Sequence, residues 1–161
     1  MLNSTEQEQA RAVIKTHWSI YLAFTTAIIM YTVVVFLVTQ GKTEGAFEPG
    51  RLRSLFLVVS VAAGLLKFWI QSRLLADEVS YRTCQSFEQI IAKYWRYNFL
   101  MLALCEVPAL LGLVIAFMTM RLQEWWIFFG ISAVLFATSA PAYGRLERIL
   151  EAHAARRQAG V

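Results

Sequence analysis

Long apolar runs alternate with short polar ones along this chain. Four runs of mostly apolar residues cover Trp18 to Val38, Leu52 to Leu75, Tyr97 to Met120 and Trp125 to Tyr143. Each is close to the roughly 20 residues that a helix needs to cross a hydrocarbon core of about 30 Å. In the first and fourth, apolar residues surround the whole helix, whereas a helix of a soluble bundle keeps a polar face at the helical period. The pattern predicts an all-α fold: an integral membrane four-helix bundle forming a single transmembrane domain over residues 1–161.

The segment from Ala76 to Arg96 follows a different pattern. Phe87, Ile90, Ile91, Tyr94 and Trp95 recur at helical spacing among Glu88, Gln89 and Lys93. An amphipathic extension of the third helix is expected here, outside the hydrocarbon, lying on the membrane surface or against another subunit. Gly41, Gly45, Pro49 and Gly50 mark a turn-rich first connector. Residues 121–124 can only join adjacent antiparallel helices. The tail from Leu146 to Arg157 mixes Glu147, Arg148, Glu151, Arg156 and Arg157 with small residues, and reads as a solvated helix end.

Composition agrees with the membrane reading, with 58% hydrophobic and only 16% charged residues. Residues 1–12 are polar and the run after them is long, so the first helix is expected to stay as an anchor rather than be cleaved as a signal peptide. Cys84 and Cys105 lack a C-x-x-C spacing and support neither a disulfide framework nor a zinc site. His17 and His153 have no second ligand at a useful spacing. No nucleotide-binding, metalloprotease or nucleophile-elbow motif is present, so the chain is expected to be non-enzymatic, with no cofactor and no metal.

Charge sets the expected orientation, because Lys and Arg near span ends accumulate on the cytoplasmic side. Arg11, Lys15, Arg73, Arg82, Lys93, Arg96, Arg145, Arg148, Arg156 and Arg157 flank one side; Lys42, Arg51, Arg53 and Arg121 flank the other. Both termini and the central connector are thus expected in the cytoplasm, beneath a bacterial inner membrane. Trp18, Trp69, Tyr94, Trp95, Tyr97 and Tyr143 fall at the inner headgroup level, and Trp125 and Trp126 at the outer one. The formal charge of +4 is explained by contact with membrane lipids and requires no nucleic acid.

Small residues recur four apart at Ser60 and Gly64, Gly112 and Ala116, and Ala133 and Ala137, as in closely packed membrane helices. Two charges interrupt this background. Glu106 lies about 14 Å from the inner end of the third run and Lys67 about 21 Å from the outer end of the second, within roughly 5 Å of one depth. A charge at a helix centre costs about 2.5–3.5 kcal/mol on insertion scales, so an intramembrane carboxylate marks a candidate site. Glu106 must be protonated, paired or wet. Lys67 either carries its ammonium to the headgroups along its long stem or pairs with Glu106. Pro108, lacking an N–H, frees the carbonyl of Leu104 beside the acid.

The stretch Glu106-Val-Pro-Ala-Leu-Leu-Gly112-Leu-Val-Ile-Ala116 resembles the second helix of the proteolipid c subunits of rotary ATP synthases, in which an ion-carrying carboxylate precedes Gly-Leu-Val by six residues. The chain is similar to uncharacterised four-helix bacterial membrane proteins that share such a third helix. The resemblance implies that Glu106 is a reversible proton site. A c subunit's first helix carries alternating glycines, however, whereas Ser54 to Leu75 contains Gly64 alone, and the short polar turn of that family is replaced by a long connector. Two functions are therefore expected. The first is an accessory, assembly or structural subunit of a larger inner-membrane complex, held by partner subunits or by self-association. The second is a proton- or ion-handling protein using Glu106, tuned by Lys67.

Overall fold

The computed structural model describes residues 4–40, 50–75, 81, 84, 86–140 and 143–159. The turn-rich stretch 41–49 and most of 76–85 lie outside the described residues. Among the described residues five helices follow one another: α1 (Ser4–Thr39), α2 (Gly50–Ile70), α3 (Phe87–Thr119), α4 (Leu122–Ala137) and α5 (Tyr143–Ala159), with a π-helical turn over Gln71–Leu75 continuing α2. Among the described residues there is no strand. Three of the described helices, α1, α2 and α3, are long and apolar enough to cross a membrane.

α1 runs unbroken for 36 residues, about 54 Å at a rise of about 1.5 Å per residue, because no Gly or Pro interrupts it. Several of its threonine hydroxyls are consumed by its own backbone: Thr16, Thr25, Thr26 and Thr32 each donate to the carbonyl four residues earlier. A polar side chain bonded in this way can lie in lipid without leaving an orphan group. α3 begins where Ser86 accepts a hydrogen bond from the Gln89 amide at 3.2 Å, an N-cap that satisfies one of the first-turn donors. It ends 33 residues later at Met120, whose φ of 53° is left-handed. That conformation stops the helix and turns the chain directly into α4.

α3 is the central helix, packed against α1, α2 and α4. Gly112 allows the closest approach, because a Cβ there would stand 2.6 Å from the Cβ of Phe128. Trp125 fills the same contact and is fully buried, while its neighbour Trp126 is exposed. Trp125 is thus a core residue of the bundle rather than a headgroup marker, since the missing side chain at Gly112 leaves room for its ring.

The apolar core has two levels. Within the bundle, Ile28, Val35, Leu102, Cys105, Ala109, Ala116, Trp125, Leu135 and Phe136 pack together. Beyond it, the first turns of α1 and α3 extend past the bundle on one side and meet α5, where Ala10, Ile14, Ile90, Tyr94, Leu146, Ile149 and Leu150 form a second cluster with Ile70, Tyr81 and Met101. The amphipathic stripe of α3 therefore packs on its own chain, with Ile90 and Tyr94 buried. Neither the membrane surface nor another subunit covers those two residues. The tail is likewise no solvated end: Leu146, Ile149, Leu150 and His153 lie on one side of α5 at helical spacing, and the three apolar ones are buried.

The fourth apolar run differs from expectation as well. α4 stops at Ala137 instead of continuing to Tyr143. Thr138 and Ser139 turn their hydroxyls back onto the carbonyls of Val134 and Leu135. Pro141 follows in the sequence, and a proline disfavours helical backbone at the residue before it.

Candidate functional site

The two charges that interrupt the apolar helices occupy different interfaces. Glu106 lies on α3 where that helix faces α1, and its Oε1 accepts a hydrogen bond of 2.8 Å from the phenol of Tyr31. The carboxyl group is only partly buried, and Tyr31 is its one hydrogen-bond donor among the described residues. A carboxylate has about four acceptor positions, so this one bond fills only part of its capacity.

Lys67 turns to the end of α4. Its side chain has no exposed surface, which excludes the snorkelling expected of a long lysine stem. Its ammonium donates to Thr138 Oγ1 at 2.7 Å and stands 4.3 Å from the centre of the Phe68 ring. The Thr138 hydroxyl passes its own proton to the carbonyls of Leu135 and Val134, at 2.9 and 3.2 Å. Gln71, in the π-helical turn, donates to the Thr138 carbonyl at 3.4 Å. The last carbonyls of a helix lack intrahelical partners and carry partial negative charge. Lys67 thus meets the C-terminus of α4 through the Thr138 hydroxyl. Among the described residues no ion pair joins it to Glu106.

A hydroxyl and thiol network continues from this cap into α3. Ser139 donates to the Leu135 carbonyl at 2.7 Å, and its oxygen lies 3.3 Å from Cys105 Sγ. With the hydroxyl proton already committed, the thiol is the donor in that contact. Ser132 donates to the Cys105 carbonyl at 2.6 Å. That carbonyl is adjacent to the Leu104 carbonyl freed by Pro108. The proline therefore sits where α4 is pinned to the α3 backbone.

The small residues divide between two surroundings. Ser60, Gly64, Gly112 and Ala116 are buried between helices, as is Pro108. Gly64 contacts Leu135 at 3.5 Å, and Ser60 donates to the Phe56 carbonyl at 2.8 Å. Ala133 and Ala137 are exposed and line a groove between α4 and α1. His17 is buried with its ring 5.9 Å from Trp95 and 6.3 Å from Tyr94. The described residues contain no cluster of three or more His, Cys, Asp or Glu that could hold a metal ion. At the opposite end of the bundle, Arg53 of α2 and Glu124 of α4 form an ion pair of 3.4 Å.

Sequence reasoning did not single out Tyr31, Thr138, Ser139 or Ser132. A signal existed for Tyr31, because a phenol in mid-span, away from either headgroup level, needs a polar partner. Thr138 and Ser139 stand directly before the helix-stopping Pro141, where hydroxyl residues serve as backbone partners. Comparison with known protein families, curated proteins and solved structures matches none of them to this chain.

Proposed function

We propose that this chain is a non-enzymatic subunit of a larger membrane assembly, docking through the α1–α3 face that carries Glu106. One observation carries the reading: a mid-span acidic residue remains partly exposed, with Tyr31 as its one hydrogen-bond donor among the described residues. Exposure of that group to hydrocarbon is unfavourable, and a partner helix that supplies a further donor or a cation relieves the cost. The charge distribution supports an arrangement with both termini cytoplasmic and α4 as a fourth span, because the first turns of α1 and α3 pack with α5 at one end.

A second reading is favoured by the same hydrogen bond. A phenol donating to a carboxylate in the membrane provides an alternative partner when a proton leaves, as a proton- or ion-handling group requires, and the c-subunit-like stretch around Glu106 points the same way.

One set of variants separates the two. In the docking reading, native mass analysis of the complex extracted from its own membrane finds a partner subunit or a second copy with the wild type, and Glu106→Leu releases it. In the ion-handling reading, the purified chain conducts protons in proteoliposomes and Glu106→Gln abolishes the flux while leaving the fold intact. A wild-type chain that migrates alone from its own membrane overturns the first reading, and flux unchanged by Glu106→Gln overturns the second.

A further inference from the structure

A groove of about 330 Å³ runs between α1 and α4, lined by Tyr21, Thr25 and Ile29 on one side and Phe129, Ala133 and Ala137 on the other. From Phe129 to Ala137 it follows α4 for about 12 Å, most of the depth of one leaflet of a core about 30 Å thick. Its volume falls at the lower end of the roughly 300–1,000 Å³ of small-ligand sites. The wall presents no spare polar group: the Tyr21 hydroxyl donates to the Phe136 carbonyl at 3.1 Å and the Thr25 hydroxyl to the Tyr21 carbonyl at 2.9 Å. The small side chains of Ala133 and Ala137 leave the groove open.

The α1 wall continues beyond the groove as one amphipathic track. Arg11, Trp18 and Thr25 recur every seven residues and so share a face of the helix, with Lys15 beside them. Trp18 is 41% exposed and lies edge-on to Tyr21, ring centres 5.5 Å apart, the position of an aromatic residue at the headgroup level. Lys15 follows about 9 Å from Tyr21 along the axis and Arg11 about 15 Å, and both are exposed. Glu8, the nearest acid along this helix, stands a further turn away from the bilayer. An apolar slot in the hydrocarbon, an aromatic collar and two cations just outside it are the three parts of a phospholipid site, and the cations select the charge of its headgroup.

We propose that the α1–α4 groove with Arg11 and Lys15 binds an anionic phospholipid, its acyl chain along Ala133 and Ala137 and its phosphate at the two cations. The test is native mass analysis of the full chain in mild detergent with phosphatidylglycerol or phosphatidylcholine of matched acyl chains. Phosphatidylglycerol is expected to be retained preferentially. Arg11→Gln and Lys15→Gln each lower its retention about fivefold and leave phosphatidylcholine unchanged. Ala133→Phe and Ala137→Leu, at exposed positions that the bundle does not pack against, fill the groove and lower retention of both lipids. Equal retention of the two lipids by the wild type overturns the proposal. So does undiminished phosphatidylglycerol retention by both groove-filling variants, which would reduce the effect to surface charge alone.

Discussion

An ammonium group sealed inside an apolar bundle persists only where its N–H donors meet acceptors, and at Lys67 one such acceptor stands at the end of a helix. The Thr138 hydroxyl accepts directly from it, and the carbonyls behind that hydroxyl extend the negative end of α4 toward the charge. Removing one partner of such a pair is more damaging than removing the charge itself, because an ammonium stripped of an acceptor keeps its desolvation cost. Thr138→Val is therefore expected to lower stability by about 1–3 kcal/mol, and Lys67→Met by less. Thermal unfolding in detergent measures both. The reverse order would mean that the cation holds α4 in place rather than being held by it. The place of this residue within an apolar run was legible from the sequence, but its contact with Thr138 was not. Lys67 and Glu106 have opposite charge and similar depth along their helices, yet depth carries no information about which neighbour each helix face meets. That is set by rotation within the bundle, which places Glu106 toward Tyr31 on α1 and Lys67 toward the end of α4.

Helix contacts separate the two glycines that the sequence presents as equivalent. At Gly112 an added Cβ collides with Phe128 Cβ, whereas at Gly64 it reaches only ordinary contact with Leu135. Gly112→Ala is expected to cost about 1–3 kcal/mol through overpacking, while Gly64→Ala is tolerated, since Ala is the better helix former. Unfolding midpoints of the two variants in one detergent check this contrast, and equal losses would show that α3 and α4 can move apart freely. Three of the four apolar runs were legible as helices long and apolar enough to cross a membrane, because hydropathy over about 20 residues picks out such helices. Their ends were less so. α4 finishes at Ala137 through the local hydrogen bonds of Thr138 and Ser139, which a hydropathy window averages away. The stripe Leu146, Ile149, Leu150 and His153 was readable by its period, yet the surrounding Arg and Glu residues hid it behind an impression of solvation.

Taken whole, the molecule is a bundle of apolar helices joined to a small mixed cluster at one end, where α1, α3 and α5 meet. The cluster depends on Leu150, which is almost fully buried there. Leu150→Ala is expected to cost about 2–5 kcal/mol and to raise hydrogen exchange at the start of α3 and in α5, with exchange around Ala109 and Ala116 unchanged. Uniform exchange across both levels would instead make the chain a single cooperative unit. A last consequence concerns α4. Its 16 residues measure about 24 Å, several ångströms short of an ordinary hydrocarbon core, while its neighbours α1 and α3 are far longer. Tethered to α2 at both ends, by Arg53–Glu124 and by Lys67–Thr138, it cannot slide to share the mismatch. In the proposed four-span arrangement the surrounding lipid would have to pinch inward on that flank, so that one side of the molecule would act as a gauge of membrane thickness and favour thinner regions of the bilayer.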